Sequence, residues 1–478
     1  MKTYKTPGVY VEEISTLAPS VAEVETAIPA FIGYTEKGDK NVPVRITSMV
    51  DYQLNFGSAE PEKSLTIKVL KDIVTAGIAN ENKSRSVMFY AMQLYFANGG
   101  GPCYIVSAGN YQDSASPKKE AYKAALDIVE TLDEPTLLVF PDAPFLIPDT
   151  YNDLAVDAIN QCAKLGDRFA IIDVVNKGKN AREAAALFRT IGTTEANAKY
   201  GAAYYPNLKT TIPYIIDEAN IEVSIDGVVL KAEASGTKAD AGAADDTGTG
   251  GTKTKKTTPA ETKKGLALLD SAVRNKAKQE LQKIGVELTP AAAIAGVYAS
   301  VDNSRGVWKA PANVSLNYVK APMINITDDE QDDLNIDVTD GKSINAVRSF
   351  IGKGTKVWGA RTLSGNDNEW KYINVRRFFN MVEESIKKST AWAVFEPNDI
   401  NTWTKVRAMI ENYLIMKWKD GALAGAKPND AFYVRVGLGT TMSAVDVLEG
   451  RMIIEIGLAA VRPAEFIVVK FSHKLQVS

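Results

Sequence analysis

Histidine and cysteine are scarce in this chain, which limits the chemistry it can perform. The 478 residues include one histidine, His473, and two cysteines, Cys103 and Cys162. Zinc sites of the usual type need several Cys or His ligands, and nucleophilic centres commonly need a histidine beside the nucleophile. We therefore expect no catalytic, metal-binding or cofactor-binding residues. Both cysteines have apolar neighbours in sequence and are expected to be buried free thiols of a protein made in a reducing compartment.

The chain also lacks an excess of charge of either sign and a long apolar run. Lys and Arg number 55 against 58 for Asp and Glu. This balance gives no support to nucleic-acid binding. The longest apolar runs, such as 290–301, are shorter than the roughly 20 residues of a membrane span. No secretory signal follows Met1, so we expect synthesis in the cytoplasm and no insertion into a bilayer.

No motif for phosphate binding or acid–base chemistry is complete. The glycine-rich stretches at 98–102, 352–356 and 437–441 do not match a phosphate-binding loop. Asp142 and Asp173 follow predicted strands, where ligands often bind in parallel α/β folds. Neither has a supporting motif, so turn and capping roles are favoured. The sequence therefore favours mechanical or binding work over catalysis.

The pattern of apolar residues predicts a multidomain fold of mixed α/β and α+β class, since 478 residues exceed one ordinary core. Strands predicted at 103–106, 135–140 and 168–175 alternate with helices at 121–132 and 151–165. Strand–helix–strand order of this kind indicates a parallel α/β layer. We assign 28–206 to this α/β domain.

Two further regions follow the α/β domain. Residues 207–288 are expected to be a surface insertion. It contains a hairpin at 221–232 with Asp226-Gly227 as its turn and a flexible segment at 233–264 that is poor in large apolar residues. Residues 289–461 are assigned to a core domain, with amphipathic helices at 373–393 and 401–419 and a hairpin formed by 431–438 and the segment from 451 onward.

Both chain ends are predicted to be strands on extended arms, 1–27 and 462–478. Val9 and Val11 lie on one face of the first strand and Tyr10 on the other, and 15–27 is a linking stretch of small and polar residues. The final strand alternates in the same way after the break at Pro463. An apolar edge of this kind must pair with something, because unpaired edges are liabilities that proteins cover or use.

Several segments then stand out in order along the chain: 6–14 (TPGVYVEEI) with 28–34 (IPAFIGY), 299–313 (ASVDNSRGVWKAPAN), 357–363 (VWGARTL), 372–378 (YINVRRF) and 462–466 (RPAEF). Together they resemble the contractile tail sheath family, which includes phage tail sheaths, R-type pyocin sheaths and the sheaths of extracellular contractile injection systems. The resemblance covers most of the chain outside roughly 207–288.

The resemblance implies a structural subunit. It would polymerise as a six-start helical tube around an inner tube and contract to drive that tube through a target envelope. Its core domain would be formed by both chain ends, with the α/β domain inserted. It would be made in the bacterial cytoplasm and act in an extracellular phage tail or tail-like particle. Its partners would be further sheath subunits, the inner tube protein, and baseplate and terminal cap proteins.

The resemblance also implies which residues couple the subunits. Strands 8–14 and 464–471 would be donated to neighbouring subunits, and the hairpin of 432–438 with 452–458 would accept them. The residues expected to donate are Val9, Tyr10, Val11, Phe466, Val468 and Phe471. Those expected to accept are Tyr433, Val434, Val436, Ile454 and Ile456. Helix 401–419 would face the inner tube through Lys405, Arg407, Lys417 and Lys419.

Two alternatives stay open at this point. One is a sheath component of a type VI secretion apparatus, which resembles this family but is generally built from two different chains. The other, from a different class, is a cytoplasmic α/β enzyme with a strand-swapped tail.

Overall fold

The computed structural model describes residues 20–71, 73–79, 83–175, 180–230, 233–234 and 262–468. The chain divides into two units. The larger unit comprises 27–304 and 311–373, and the described part of the smaller unit comprises 20–26, 305–310 and 374–468. The smaller unit therefore gathers the described parts of both chain ends. The prediction of a mixed α/β, multidomain fold is confirmed.

A nine-stranded sheet organises the larger unit, with six parallel strands at its centre. From one edge to the other, the strands are Val314–Ser315, Gly354–Trp358, Ile344–Phe350, Gly201–Tyr205, Phe169–Asp173, Leu137–Val139, Pro29–Thr35, Cys103–Asn110 and Pro43–Ile46. The flanking strands pair antiparallel to their neighbours.

Both faces of this sheet are buried, which explains why its central strands are almost continuously apolar. Phe31 belongs to the hydrophobic cluster on one face, whereas its neighbours Ala30 and Ile32 belong to the cluster on the other. The helices of the larger unit are Met49–Phe56, Met88–Ala97, Tyr111–Ser114, Lys119–Glu130, Pro148–Leu165, Ala181–Arg189, Glu195–Ala198, Ser271–Gln282, Ala291–Arg305 and Asp328–Asn335. The alternating strands and helices predicted for the α/β domain are confirmed.

Smaller sheets of the larger unit include several strands of the predicted surface insertion. Leu208–Pro213 is the middle strand between Gly285–Leu288 and Val319–Pro322. Glu222–Ile225 pairs with Leu65–Leu70, which in turn pairs with Ile73–Ile78. The predicted Asp226-Gly227 turn is confirmed: it joins Glu222–Ile225 to Val228–Val229, and both turn residues have positive φ. Parts of 207–288 are thus built into sheets, where they pair with 65–70 and 319–322.

Most of the predicted flexible segment 233–264 lies outside the described residues. At its ends, Glu233–Ala234 pairs with Thr262–Lys263. Across the described ranges, no helix is both long enough and apolar enough to cross a membrane.

The smaller unit is built on two long helices and a hairpin. We label them α1 (Ile373–Ser389), α2 (Ile400–Lys419), β1 (Phe432–Val436), α3 (Ala444–Leu448) and β2 (Ile454–Leu458). A short helix, Pro428–Ala431, precedes β1. Asp399 caps the start of α2 by accepting from the backbone N–H groups of Asn401 and Thr402.

The boundary of the smaller unit differs from the predicted core domain 289–461. Strand Ile344–Phe350 pairs with Gly201–Tyr205, so residues 311–373 belong with the large sheet of the larger unit. This pairing joins segments about 140 residues apart, and no local pattern in the sequence specifies it.

Candidate assembly interface

The hairpin of the smaller unit is a two-stranded antiparallel sheet. Its register runs from Phe432 opposite Leu458 to Val436 opposite Ile454. Directly opposed residues point to the same side of a sheet, so one face carries only apolar side chains. Val434 on this face is buried in the cluster that contains α1 and α2 residues. The other apolar side chains of this face are Phe432, Val436, Ile454, Ile456 and Leu458.

The opposite face of the hairpin is polar and faces solvent. Tyr433 Oη donates to Glu455 Oε1 at 2.8 Å. The guanidinium of Arg435 lies 4.7 Å from the centre of the Tyr433 ring. The hydrogen bond to the Glu455 carboxylate is the main cause that raises the pKa of Tyr433 above its ordinary value. Tyr433 lies flat across its cross-strand neighbour Gly457, where any Cβ would clash with the ring.

The edges of the hairpin are the feature of most interest for assembly. In the described part of the chain, neither β1 nor β2 has a third strand beside it. Just beyond β2, Leu423 bridges to Ala460, and the Val461 N–H donates to the Ala422 carbonyl at 3.2 Å. The chain after the hairpin is therefore tied down as far as Val461, while the strand edges stay open to another chain.

The connection between the two strands is well ordered by its own hydrogen bonds. Ser443 and Asp446 form a capping box at the start of α3. Arg451 forms an ion pair with Asp446 at 2.8 Å, and Thr441 Oγ1 donates to the Ile453 carbonyl at 2.7 Å. This connection fixes the register of the hairpin.

The predicted donor segment at the C-terminus exposes its apolar side chains. Phe466, Ile467 and Val468 are 68%, 82% and 77% exposed. Within the described residues, 461–468 form no strand. Exposed apolar surface of this kind is common where a protein binds a partner. Phe471 and the N-terminal donors Val9, Tyr10 and Val11 lie outside the described residues.

The linking stretch predicted at 15–27 is docked over its described part. We call residues 21–26 the strap. The backbone N–H of Ala22 donates to Ser389 Oγ and that of Val24 donates to Ser385 Oγ, both at 3.1 Å. Arg377 donates to the Thr26 carbonyl at 2.9 Å. From Val21 onward the stretch is therefore part of the smaller unit and not a free hinge.

The four cations predicted to face an inner tube do not share one environment. Lys405 and Lys419 are exposed on α2. Arg407 pairs with Glu411 one turn along the helix at 2.7 Å. Lys417 is buried, and its ammonium pairs with Glu23 of the strap at 2.7 Å. This placement removes Lys417 from the predicted set, because a buried and paired lysine cannot reach another molecule.

Two features were not predicted from the sequence: the burial of Lys417 and the residues of α1 that bind the strap. A signal for the lysine exists, since it follows Ile410, Tyr413 and Leu414 at helical spacing and so lies on the apolar stripe of α2. For α1, the two serines at i and i+4, 385 and 389, stand on the side that meets the strap. Small polar residues beside an apolar stripe do not by themselves reveal a backbone partner.

The groups first considered for chemistry have structural roles in the larger unit. Asp142 accepts from the Tyr34 N–H at 2.7 Å and from the Val87 N–H, just before helix Met88–Ala97, at 2.9 Å. Asp173 accepts from the N–H of Ala291, the first residue of helix Ala291–Arg305, at 2.8 Å. Burial raises the pKa of each carboxyl to about 7. Both aspartates tie the sheet to helix starts, in agreement with the predicted capping roles.

The two cysteine thiols lie in environments that do not favour reaction. Cys103 and Cys162 are buried and unpaired, and burial raises the pKa of both thiols far above the ordinary value. Among the described residues no cluster of His, Cys, Asp and Glu is suited to hold a metal ion. His473 lies outside the described residues.

Comparison with known proteins matches the chain to sheath proteins along its whole length. The family model for the phage tail sheath C-terminal domain matches residues 365–474. A solved structure of the PVC sheath complex of an extracellular contractile injection system, in its contracted state, is 30% identical with a TM-score of 0.63. That alignment covers 100% of this chain and 99% of the other. The contracted helical sheath of the anti-feeding prophage is 31% identical, covers 99% and 100%, and has a TM-score of 0.62.

Curated relatives match over a shorter stretch. The tail sheath protein of Enterobacteria phage T4 is 32% identical over 128 residues, which are 26% of this chain and 18% of the phage protein. The tail sheath protein of Vibrio phage KVP40 is 29% identical over 121 residues, again 18% of its length. The aligned part thus spans less than a fifth of these phage proteins.

Proposed function

Because this chain belongs to the contractile tail sheath family, we propose that it is the structural subunit of a contractile sheath. It polymerises as a six-start helical tube around an inner tube and contracts to drive that tube through a target envelope. The observation that carries the proposal is the likeness to two contractile sheaths over essentially the full length of both chains. An α/β enzyme with a swapped tail gains no support from these relatives.

Neighbouring subunits are coupled by strand addition at the hairpin. Donor segments 464–471 and 8–14 of other copies lie along the open edges of β1 and β2. Main-chain hydrogen bonds then supply the affinity, as in other cases of β-augmentation. About six ladder bonds at roughly 0.5–1.5 kcal/mol each give several kcal/mol before the cost of ordering the donor. The open edges and the exposed side chains of Phe466, Ile467 and Val468 support this coupling.

The remaining partners follow from the same proposal. Lys405 and Lys419, exposed on α2, are the residues left to meet acidic groups of an inner tube protein. Arg407 is available to the tube only if its pair with Glu411 opens. Baseplate and terminal cap proteins bind the ends of the sheath, and the structures of two related chains come from anti-feeding prophage baseplates. The assembled particle acts outside the cell that makes it.

Contraction by this mechanism needs no catalysis by the sheath. The extended state stores its energy on assembly and is kinetically trapped. Subunits then rotate as rigid bodies while the exchanged strands stay paired. We therefore propose that the chain has no enzymatic activity.

Electron microscopy of the purified full chain tests the proposal. We expect helical tubes from the wild type. The double variant Phe466→Ser, Val468→Ser should remain monomeric, because polar side chains weaken the donor strand without touching the folded units. Val338→Ser is the matched control, since Val338 is equally exposed but lies in the larger unit. Tubes of normal length from the double variant would contradict strand donation by 464–471, and a wild type that never forms tubes would contradict the sheath function.

A further inference from the structure

The strap of residues 21–26 is held to α1 by a short series of bonds to its backbone. Ala22 and Val24 donate to Ser389 and Ser385, and the Thr26 carbonyl accepts from Arg377. The strap residue numbers rise as those of α1 fall, so the two segments run antiparallel. Three bonds at alternate residues use one edge of an extended segment, as a neighbouring strand would.

Apolar side chains add to this attachment. Val21 is 7% exposed and belongs to the cluster that contains Phe378, Tyr413 and Leu414. Val24 packs against the same cluster. Withdrawing the strap would expose both side chains to water, at a cost of about 25 cal/mol for each Å² of apolar surface.

Lys417 forms an ion pair with the strap. Its ammonium lies 2.7 Å from Glu23 Oε2 and 3.4 Å from Asp420 Oδ2. The same ammonium is 5.4 Å from the ring centre of Trp308 and 5.8 Å from that of Tyr413. A lysine placed between two rings and two carboxylates is paired and oriented, so losing the Glu23 carboxylate removes a charge-assisted hydrogen bond between a buried ammonium and a partly exposed partner.

We propose that the strap anchors the N-terminal arm to α1 and α2, with Lys417 as the residue that secures it. Tension on the arm then passes into the two long helices of the smaller unit. The proposal rests on the proposed function, since only an arm bound to a neighbouring subunit carries tension. Residues 21–26 do not act as a pivot, because they are held at several points.

Hydrogen exchange of the purified, unassembled full chain tests the anchor directly. Glu23→Gln and Lys417→Met should each speed exchange of the Ala22 and Val24 amides by about tenfold, the effect expected from losing a charge-assisted hydrogen bond. Glu23 is partly exposed, so its variant does not threaten folding. Lys405→Met on the exposed side of α2 is the matched control and should leave both amides unchanged. Unchanged exchange in both strap variants would overturn the anchor.

Electron microscopy of tubes made from the same variants tests whether the anchor bears load. Tubes of Lys417→Met and Glu23→Gln should be at least twofold shorter than the wild type or break on contraction, whereas Lys405→Met tubes should not. If exchange rises but the tubes keep their length and contract intact, the strap carries no load and the proposal is overturned. Failure of the wild type itself to form tubes would overturn the sheath function, and the exchange result would still test the strap.

Discussion

The large sheet and the hairpin differ in how they end. The nine-stranded sheet closes at its edges with the short antiparallel strands Val314–Ser315 and Pro43–Ile46, which offer little backbone to another chain. The hairpin presents strands of five residues, with no third strand in the described part of the chain. One sheet is therefore complete within its own unit, and the other is left to be completed.

The two sheets also differ in how they are covered. Helices pack on both faces of the large sheet, so residues such as Phe31 and Ile171 are almost wholly buried. Only one face of the hairpin is covered, and Tyr433, Arg435 and Glu455 face solvent on the other. The difference supports the proposal that the large sheet mainly stabilises the subunit, whereas the hairpin couples it to other subunits.

The comparison predicts the largest loss of stability for substitutions of buried apolar side chains. Phe31→Ala should lower the free energy of unfolding by about 3–5 kcal/mol, because Phe31 is fully buried and its removal leaves a cavity in the core. The substitution also removes the edge-to-face contact between the Phe31 and Tyr95 rings, whose centroids lie 5.0 Å apart. Val434→Ala should cost less, about 2 kcal/mol, since the hairpin is covered on one side and two methyl groups are lost.

Denaturant unfolding of both variants checks the difference. Circular dichroism follows the whole chain, while tryptophan fluorescence follows mainly the smaller unit, which contains Trp308, Trp392, Trp403 and Trp418. Val338→Ala, at an exposed site, should change the unfolding free energy by less than about 0.5 kcal/mol. A Val434→Ala cost equal to that of Phe31→Ala would show that the covered face of the hairpin contributes as much to stability as the core of the large sheet.

The helices and strands that were predicted correctly are those that a local pattern of apolar residues identifies. Helix Pro148–Leu165 and strand Phe169–Asp173 were expected at 151–165 and 168–175, because apolar periodicity within one segment identifies each element. The hairpin of β1 and β2 was expected for the same reason. Features that depend on distant partners could not be predicted, such as the pairing of Ile344–Phe350 with Gly201–Tyr205.

The candidate interface shows the same limit. The apolar character of 466–468 was visible in the sequence, but the docking of the strap was not, because its partners Ser385 and Ser389 lie more than 350 residues away. Lys417 was expected to contact an inner tube together with the other cations of helix 401–419. Its partners Glu23 and Trp308 come from two other parts of the chain.

A smaller expected effect is a difference in pH dependence between the helix-capping carboxylates of the two units. Burial raises the pKa of Asp142 and Asp173 in the larger unit to about 7 from the ordinary 3.8. The folded state then holds extra protons between about pH 4 and 7, so its unfolding free energy falls as the pH rises through that range. Asp399 and Asp446 cap helices of the smaller unit, and their pKa values are lowered by hydrogen bonds. Their contribution is present above pH 3.8 and is lost as the pH falls below it.

Hydrogen exchange at pH 5 and pH 8, corrected for intrinsic rates, measures how the stability of these helices depends on pH. Protection of helices Met88–Ala97 and Ala291–Arg305 should be greater at pH 5, by an amount of order 1–4 kcal/mol for shifts of this size. Asp142→Asn and Asp173→Asn should reduce that difference, each at its own helix. Protection of α2 and α3 should be equal at the two pH values. Equal protection of the two larger-unit helices in the wild type would show that both aspartates are ionised throughout.

The smallest effect concerns the uncovered face of the hairpin. Glu455→Gln should change the unfolding free energy by less than about 0.5 kcal/mol, because exposed ion pairs and hydrogen bonds contribute little. The same substitution should lower the pKa of Tyr433 toward its ordinary value, since the Glu455 carboxylate is what raises it. Arg435→Gln should raise the pKa of Tyr433 further, because the guanidinium of Arg435 favours the phenolate. Urea unfolding and a titration of Tyr433 by NMR measure the two quantities, and a loss of more than 1 kcal/mol in Glu455→Gln would mean that water does not reach this face in the unassembled chain.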